Sequence, residues 1–243
     1  MTPQHHVLPV LLTRPAAQAD RFAAELVTRF ADGILPVSTP LLTPVFLSPS
    51  LPDGPFSALI LTSETGLAGA VRLREAGARL PRRAFCVGDR TAATAQAAGF
   101  EAVSAAGNAE ALISLILSSG ESGPFLHMRG KEARGDIVPR LVAKGQRAEA
   151  AVVYAQQPLA LTAQAREVLA GDGPVLVPLF SPRTAQILCE QGPFKAPLWV
   201  VAISPAAARE ALPLNAERLV VAERPDAAAM LDAAGRLIGF PCA

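Results

Sequence analysis

The sequence predicts an α/β protein built from parallel sheets in two similar halves. Three observations support this class. Short apolar runs alternate with amphipathic or Ala-rich segments along the whole chain, the strand–helix–strand order of parallel sheets. The runs are continuously apolar rather than alternating, as expected of strands covered on both faces. An internal repeat returns the same features in the same order about 115–119 residues later, a period too long for a solenoid.

Val7–Leu12 is the first apolar run and stops at Thr13-Arg14-Pro15. Ala19, Phe22, Ala23, Leu26, Val27 and Phe30 then recur at i, i+3, i+4 spacing, one face of a helix. Pro36, Pro40, Pro44, Pro49, Pro52 and Pro55 punctuate residues 36–55, which read as an extended connection because proline fixes φ and donates no backbone hydrogen bond. Ala58–Thr62 is the next strand and leads through Ser63 into a segment containing Val71 and Leu73. Ala84–Val87 leads through Gly88 into an Ala-rich helix stopped by Gly99. Asn108 opens a helix whose apolar face is Leu112, Ile113, Ile116 and Leu117. In the second half Met128-Arg129-Gly130 repeats Leu12–Pro15, and Leu179-Phe180-Ser181 repeats Leu61-Thr62-Ser63. Ile203–Ala208 repeats Val87–Ala92, and Leu231 repeats Leu112. Two similar α/β halves imply two lobes with a cleft between them. A second non-helical crossing at Gln156-Gln157-Pro158, after Val152-Val153-Tyr154, would make the N-terminal lobe discontinuous in sequence.

Composition removes several classes. A net charge of +1 over 243 residues leaves no broad electrostatic footprint for nucleic acid or an anionic membrane. Cys86, Cys189 and Cys242 form no CxxC pair, and an odd, sparse set suits a reduced, cytoplasmic protein. Apolar runs such as Val7–Leu12 and 174–180 fall far short of the ~20 residues that span a bilayer. The opening Met-Thr-Pro-Gln-His-His lacks the basic and long apolar regions of a secretory signal.

Glycine-rich nucleotide loops, the Gly-x-Ser-x-Gly elbow and His-Glu-x-x-His are all missing. His5 and His6 lie in the terminus and His127 stands alone, so no metal site is expected; His127 reads as a packed or hydrogen-bonded residue. What recurs is a small polar residue where a strand hands over to a helix: Thr13, Ser63, Thr91, Ser181 and Ser204. Each read singly is a helix cap. As a set they place unpaired N–H groups and helix dipoles at the carboxyl ends of parallel strands, a receptor for a polyanion. Arg14, Arg90, Arg129, Arg134 and Arg183 accompany these turns and could pair with carboxylates. Tyr154, the only tyrosine, closes an apolar run at the second crossing. Read on its own it is a half-buried interface residue; the alternative is a phenol donating a proton or hydrogen bond to a leaving hydroxyl.

The chain resembles the uroporphyrinogen-III synthase family. The resemblance is carried by Leu11-Leu12-Thr13-Arg14-Pro15, Leu61-Thr62-Ser63, Cys86-Val87-Gly88-x-x-Thr91-Ala92 with Gly99, Val152-Val153-Tyr154, Leu179-Phe180-Ser181-Pro182 and Ala202-Ile203-Ser204-Pro205, in order over essentially the whole chain. It implies two flavodoxin-like α/β lobes joined by a two-stranded linker, with a cleft between them. One lobe would hold residues 1–37 and 158–243, the other 40–153, with linkers near 38–39 and 154–157. The implied substrate is hydroxymethylbilane, a linear tetrapyrrole with eight carboxylates, supplied by hydroxymethylbilane synthase upstream. The implied reaction eliminates the terminal hydroxyl as water, inverts the last pyrrole ring through a spiro intermediate and closes the macrocycle, without a cofactor. The family's tyrosine falls on Tyr154 as proton donor, and Thr13, Arg14, Ser63, Gly88, Thr91, Arg129, Ser181 and Ser204 are the implied substrate contacts. The resemblance also implies a monomer. One departure is Ser204-Pro205-Ala206-Ala207, where many family members carry a Gly-Pro-Thr-Thr-like turn. That departure favours an alternative, a two-lobed polyanion-binding or regulatory protein that has lost turnover. A binder of nucleotides or other phosphorylated molecules is disfavoured by the missing glycine-rich loops.

Overall fold

The computed structural model describes residues 7–132 and 135–239; His5, His6, Arg134 and Cys242 lie outside the described residues. In chain order the elements are β1 (Leu8–Leu12), α1 (Ala16–Phe30), β2 (Ile34–Ser38), β3 (Leu42–Phe46), β4 (Ala58–Leu61), α2 (Glu64–Glu75), β5 (Arg83–Cys86) and α3 (Asp89–Ala97). Next come β6 (Glu101–Ser104), α4 (Ala109–Ser118), β7 (Phe125–Gly130), α5 (Ile137–Ala143), β8 (Ala148–Pro158) and α6 (Ala163–Leu169). The chain then continues through β9 (Val175–Leu179), α7 (Pro182–Cys189), β10 (Leu198–Ala202), α8 (Pro205–Glu210), β11 (Arg218–Val221) and α9 (Ala227–Ile238). Of the described residues, 7–43 together with 158–239 form one compact unit, and those between 44 and 157 form the second.

The first unit holds a sheet of order β11-β10-β9-β1-β2, parallel at each of these contacts. It is covered on both faces, as its continuously apolar strands require. Leu8, Val10 and Leu12 pack with α1 and α9 on one face. Val175, Val177 and Leu179 pack with α6 and α7 on the other. Helix α1 forms because Ala19, Phe22, Leu26 and Phe30 recur on one buried stripe. Its start is not capped by Thr13: Pro15 holds the N-cap position, without a side-chain hydrogen bond.

The second unit holds a sheet of order β3-β8-β7-β4-β5-β6. The contacts β8–β7, β7–β4, β4–β5 and β5–β6 are parallel. Leu59, Leu61, Leu126 and Met128 face α2 and α3, while Ala58, Ile60, Phe85 and Phe125 face α4 and α5. Set side by side, β2-β1-β9-β10-β11 and β8-β7-β4-β5-β6 have the same order, with α1 and α9 on a face that matches the face of α5 and α4, and α7 on the face that matches that of α2; among the described residues α6 has no counterpart in the second unit. The pairs joined by the sequence repeat (β1 with β7, β9 with β4, β10 with β5, α9 with α4) are the positional equivalents.

The proline-rich stretch 36–55 was expected to be only a connection, and there the structure differs. Pro36 lies inside β2 and Pro44 inside β3. Both are edge strands, where a proline can face away from the neighbouring strand and no ladder bond is lost.

Candidate active site

In each sheet the strand order reverses once, between β1 and β9 in the first unit and between β7 and β4 in the second. At such a switch point the helices leave to opposite faces and open a crevice beyond the carboxyl ends of the strands, where α/β sheets bind ligands. Thr13-Arg14, Phe180-Ser181 and Thr62-Ser63 follow β1, β9 and β4, and Arg129-Gly130 end β7. A depression of about 800 Å³ lined by Phe56, Ser57, Pro124 and Glu149 lies at the opposite, amino ends of β4, β7 and β8.

In the second unit Ser63 is the N-cap of α2, and its Oγ accepts the Gly66 N–H at 3.0 Å. The same Oγ lies 3.5 Å from the Tyr154 hydroxyl, at the long end of hydrogen-bond distance. Tyr154 is half-buried on β8, and the carbonyl of its own residue accepts the Lys131 N–H at 2.9 Å. Gly88 is the N-cap of α3, without a side chain to cap with. Thr91 is therefore not the cap anticipated for it: it sits within the first turn, 7% exposed. Asn108 caps α4 by accepting the Glu110 and Ala111 N–H groups. The helices α2, α3 and α4 thus all begin at the carboxyl edge of one parallel sheet.

Two further side chains line the α4–α5 face at this edge. His127 is 2% exposed, with Nε2 3.2 Å from Thr62 Oγ1. Burial pushes its imidazolium pKa down to about 4, and the positive Arg129 nearby acts in the same direction. It is the packed, hydrogen-bonded histidine expected. Arg129 folds onto its own strand end, Nε donating to the Gly130 carbonyl at 3.1 Å and Nη2 to that of Lys131. Arg90 pairs with Glu64 across the first turns of α3 and α2.

In the first unit Ser181 and Ser204 cap α7 and α8, accepting the N–H groups of Thr184 and Ala207, and each is followed by proline at the first helical position. Thr13 is 2% exposed and, among the described residues, its hydroxyl has no hydrogen-bond partner. Arg14 stacks 4.0 Å over the Phe180 ring, and its Nε donates to Gln18 Oε1. Sequence reasoning missed Thr184, whose Oγ1 lies 2.7 Å from Ser181 Oγ, although its place three residues after a cap serine was a signal. It also missed Thr39, fully buried, whose Oγ1 accepts the Thr162 N–H at 3.0 Å.

The structure brings Ser63 and Tyr154 together at one switch point, and Arg129 lies near the end of the intervening strand β7. Thr13, Arg14 and Ser181 stand at the other. Gly88, Thr91 and Ser204 take their places one strand further along each sheet. Among the described residues no three His, Cys, Asp or Glu side chains gather as metal ligands, and no helix is long and apolar enough to cross a membrane.

These features define a class: a duplicated, doubly wound α/β protein whose polar helix starts collect at the carboxyl edges of its sheets. The family profile of uroporphyrinogen-III synthase HemD matches residues 21–232, and the chain belongs to that family. Membership implies an enzyme of tetrapyrrole biosynthesis that cyclises hydroxymethylbilane. The fold is similar to that of uroporphyrinogen-III synthetase from Helicobacter pylori, at 20% identity and a TM-score of 0.64 over 95% of this chain and 99% of that one. It is also similar to a mutant uroporphyrinogen III synthase from Thermus thermophilus, at 15% identity and a TM-score of 0.50 over 96% and 99% of the two chains. A search of curated proteins finds no significant match.

Proposed function

We propose that the chain is a hydro-lyase of the cytoplasm that converts hydroxymethylbilane into uroporphyrinogen III, with Tyr154 as the proton donor. The observation that carries this reading is the Tyr154 hydroxyl 3.5 Å from the cap oxygen of α2, at a switch point of a parallel sheet in a chain of this family. The phenol hands its proton to the terminal hydroxyl of the substrate. The carbon–oxygen bond breaks with its electron pair on oxygen, and water leaves. The carbocation that remains is stabilised by its pyrrole and is attacked by the substituted carbon of the last ring, which gives the inverted isomer after rearrangement.

Binding follows from the helix starts. An octa-anion is held by many main-chain N–H donors without a large net charge, and the +1 chain presents such donors along both sheet edges. Ser63, Gly88, Thr91, Ser181 and Ser204 serve in this reading through the first-turn amides they accompany. The hydroxyls of Ser63, Ser181 and Ser204 are themselves engaged as caps. Thr13 contributes its buried hydroxyl, Arg14 a guanidinium pre-oriented by Phe180 and Gln18, and Arg129 a positive charge at the end of β7. The Ala206-Ala207 turn suits this scheme, because a main-chain donor needs no threonine side chain.

The test couples the protein to a supply of hydroxymethylbilane, generated by its synthase, and measures the type III to type I ratio. Type III product is expected. Only the type I isomer at high protein concentration would reject the enzyme and favour the binding protein. Tyr154→Phe is expected to slow type III formation by about 10²–10⁴-fold, the usual worth of a general acid, with the thermal midpoint preserved. Turnover at the wild-type rate would remove Tyr154 from the chemistry.

A further inference from the structure

We propose that Gly130 is a positioning residue for Tyr154, the floor of a β-bulge that turns the phenol toward Ser63; this rests on the reading of Tyr154 as proton donor. Strand β8 pairs with β7 in steady register up to Arg129 opposite Val152. The next pair is Gly130 opposite Tyr154, so Val153 is an extra residue without a counterpart. Ala151, on the regular part of β8, and Val153, the extra residue, both belong to the apolar cluster under α2 and α3. Strict alternation would send Tyr154 to the other face, toward α4 and α5. The extra residue cancels one step of the alternation. Tyr154 therefore packs against the same cluster as Val153, on the face where Ser63 opens α2.

The ring can occupy that face only because residue 130 has no side chain. A Cβ placed on Gly130 would lie 2.6 Å from Tyr154 Cζ, 2.7 Å from Cε2 and 2.9 Å from the hydroxyl oxygen. All three are shorter than any tolerated carbon contact, and the ring would have to move away from Ser63. The backbone of Gly130 is not in the left-handed region, so what position 130 requires is space and not glycine's conformational freedom. A second glycine supports the bulge from beneath: a Cβ on Gly69 of α2 would lie 2.5 Å from Val153 Cγ2.

The test uses the full chain carrying Gly130→Ala. Because Tyr154 is the only tyrosine, the Cζ resonance of a tyrosine-labelled protein reports on it alone. The expected result is a fall in kcat for type III product of about 10-fold or more, as for a misplaced general acid, with KM within about twofold. The type I fraction should rise and the Tyr154 Cζ resonance should move. In a Tyr154→Phe background, Gly130→Ala should add almost nothing to the loss in kcat, since the group it misplaces is gone. A folded Gly130→Ala protein with unchanged kcat and an unchanged Tyr154 resonance would overturn the proposal. If Gly130→Ala alone does not fold, Gly130→Ala combined with Tyr154→Leu decides: recovery of folded protein supports the ring-on-glycine contact, and continued unfolding overturns it. The two levels separate cleanly. Wild-type turnover by Tyr154→Phe rejects the proton donor itself, whereas a slow Tyr154→Phe beside an unaffected Gly130→Ala rejects only the role of Gly130.

Discussion

His127 ties the edge of the second sheet to pH. Its folded pKa is lowered to about 4 from an ordinary 6.5, by burial first and by Arg129 second. Between these values the unfolded chain binds the proton and the folded chain does not. Its contribution to stability is therefore complete above the unfolded pKa and is lost as pH falls from 6.5 toward 4, at up to about 1.4 kcal/mol per pH unit. His127→Gln keeps a polar group beside Thr62 and removes the titration. Urea unfolding at about pH 7 and about pH 5 should show the wild type losing distinctly more stability than the variant. Equal losses would show that the histidine does not govern acid sensitivity. At this scale the sequence was most legible where one residue decides the local geometry, as at the cap serines Ser63, Ser181 and Ser204. Thr13 and Thr91 looked alike in sequence and proved not to be caps, because Pro15 and Gly88 occupy those positions. Gly130 and Thr184 stayed hidden, since their importance depends on what folds against them.

Helix α2 shows how an element can be set by residues that a propensity scale disfavours. Gly66 and Gly69 stand one turn apart on its buried side. A Cβ at Gly66 would meet the Met128 carbonyl oxygen at 2.6 Å, and one at Gly69 would meet Val153. Each glycine costs the helix about 1 kcal/mol relative to alanine, yet together they let α2 lie close on β7 and β8 and bring Ser63 within reach of Tyr154. Gly69→Ala should therefore destabilise by about 1–3 kcal/mol, the range for overpacking, despite its better helix propensity. The same change beside Val153→Ala should cost much less. A urea midpoint that rises in the single variant would show that α2 has slack to move. Elements with strong periodicity, such as α1 and α4, were legible from spacing alone. The short strands β2 and β3 were not, because Pro36 and Pro44 signal a loop unless the edge position of each strand is known.

The whole chain is a tandem repeat whose parts have exchanged. Its first half supplies the pair β1-β2 and the triplet β4-β5-β6; its second half supplies the pair β7-β8 and the triplet β9-β10-β11. Each sheet joins the pair of one half to the triplet of the other. The repeat was visible in sequence, but equivalence between halves does not say which triplet a pair will join. That is a long-range choice left to packing. Its consequence can be tested by cutting the chain in two ways. Residues 42–158 contain every strand of the second sheet with α2–α5, so this fragment should unfold cooperatively by itself. A cut between α4 and β7, giving 1–121 and 122–243, follows the sequence repeat but strips β1 of β9 and β4 of β7. These are inner strands: Val10, Leu11, Ile60 and Leu61 are fully buried. Their open edges would leave backbone donors and apolar faces uncovered. Neither fragment should melt cooperatively alone, and mixing them should restore a cooperative transition and type III synthesis. Cooperative melting of 1–121 alone, followed by circular dichroism, would mean that each half can pair its own strands and that the exchange is not what completes each sheet.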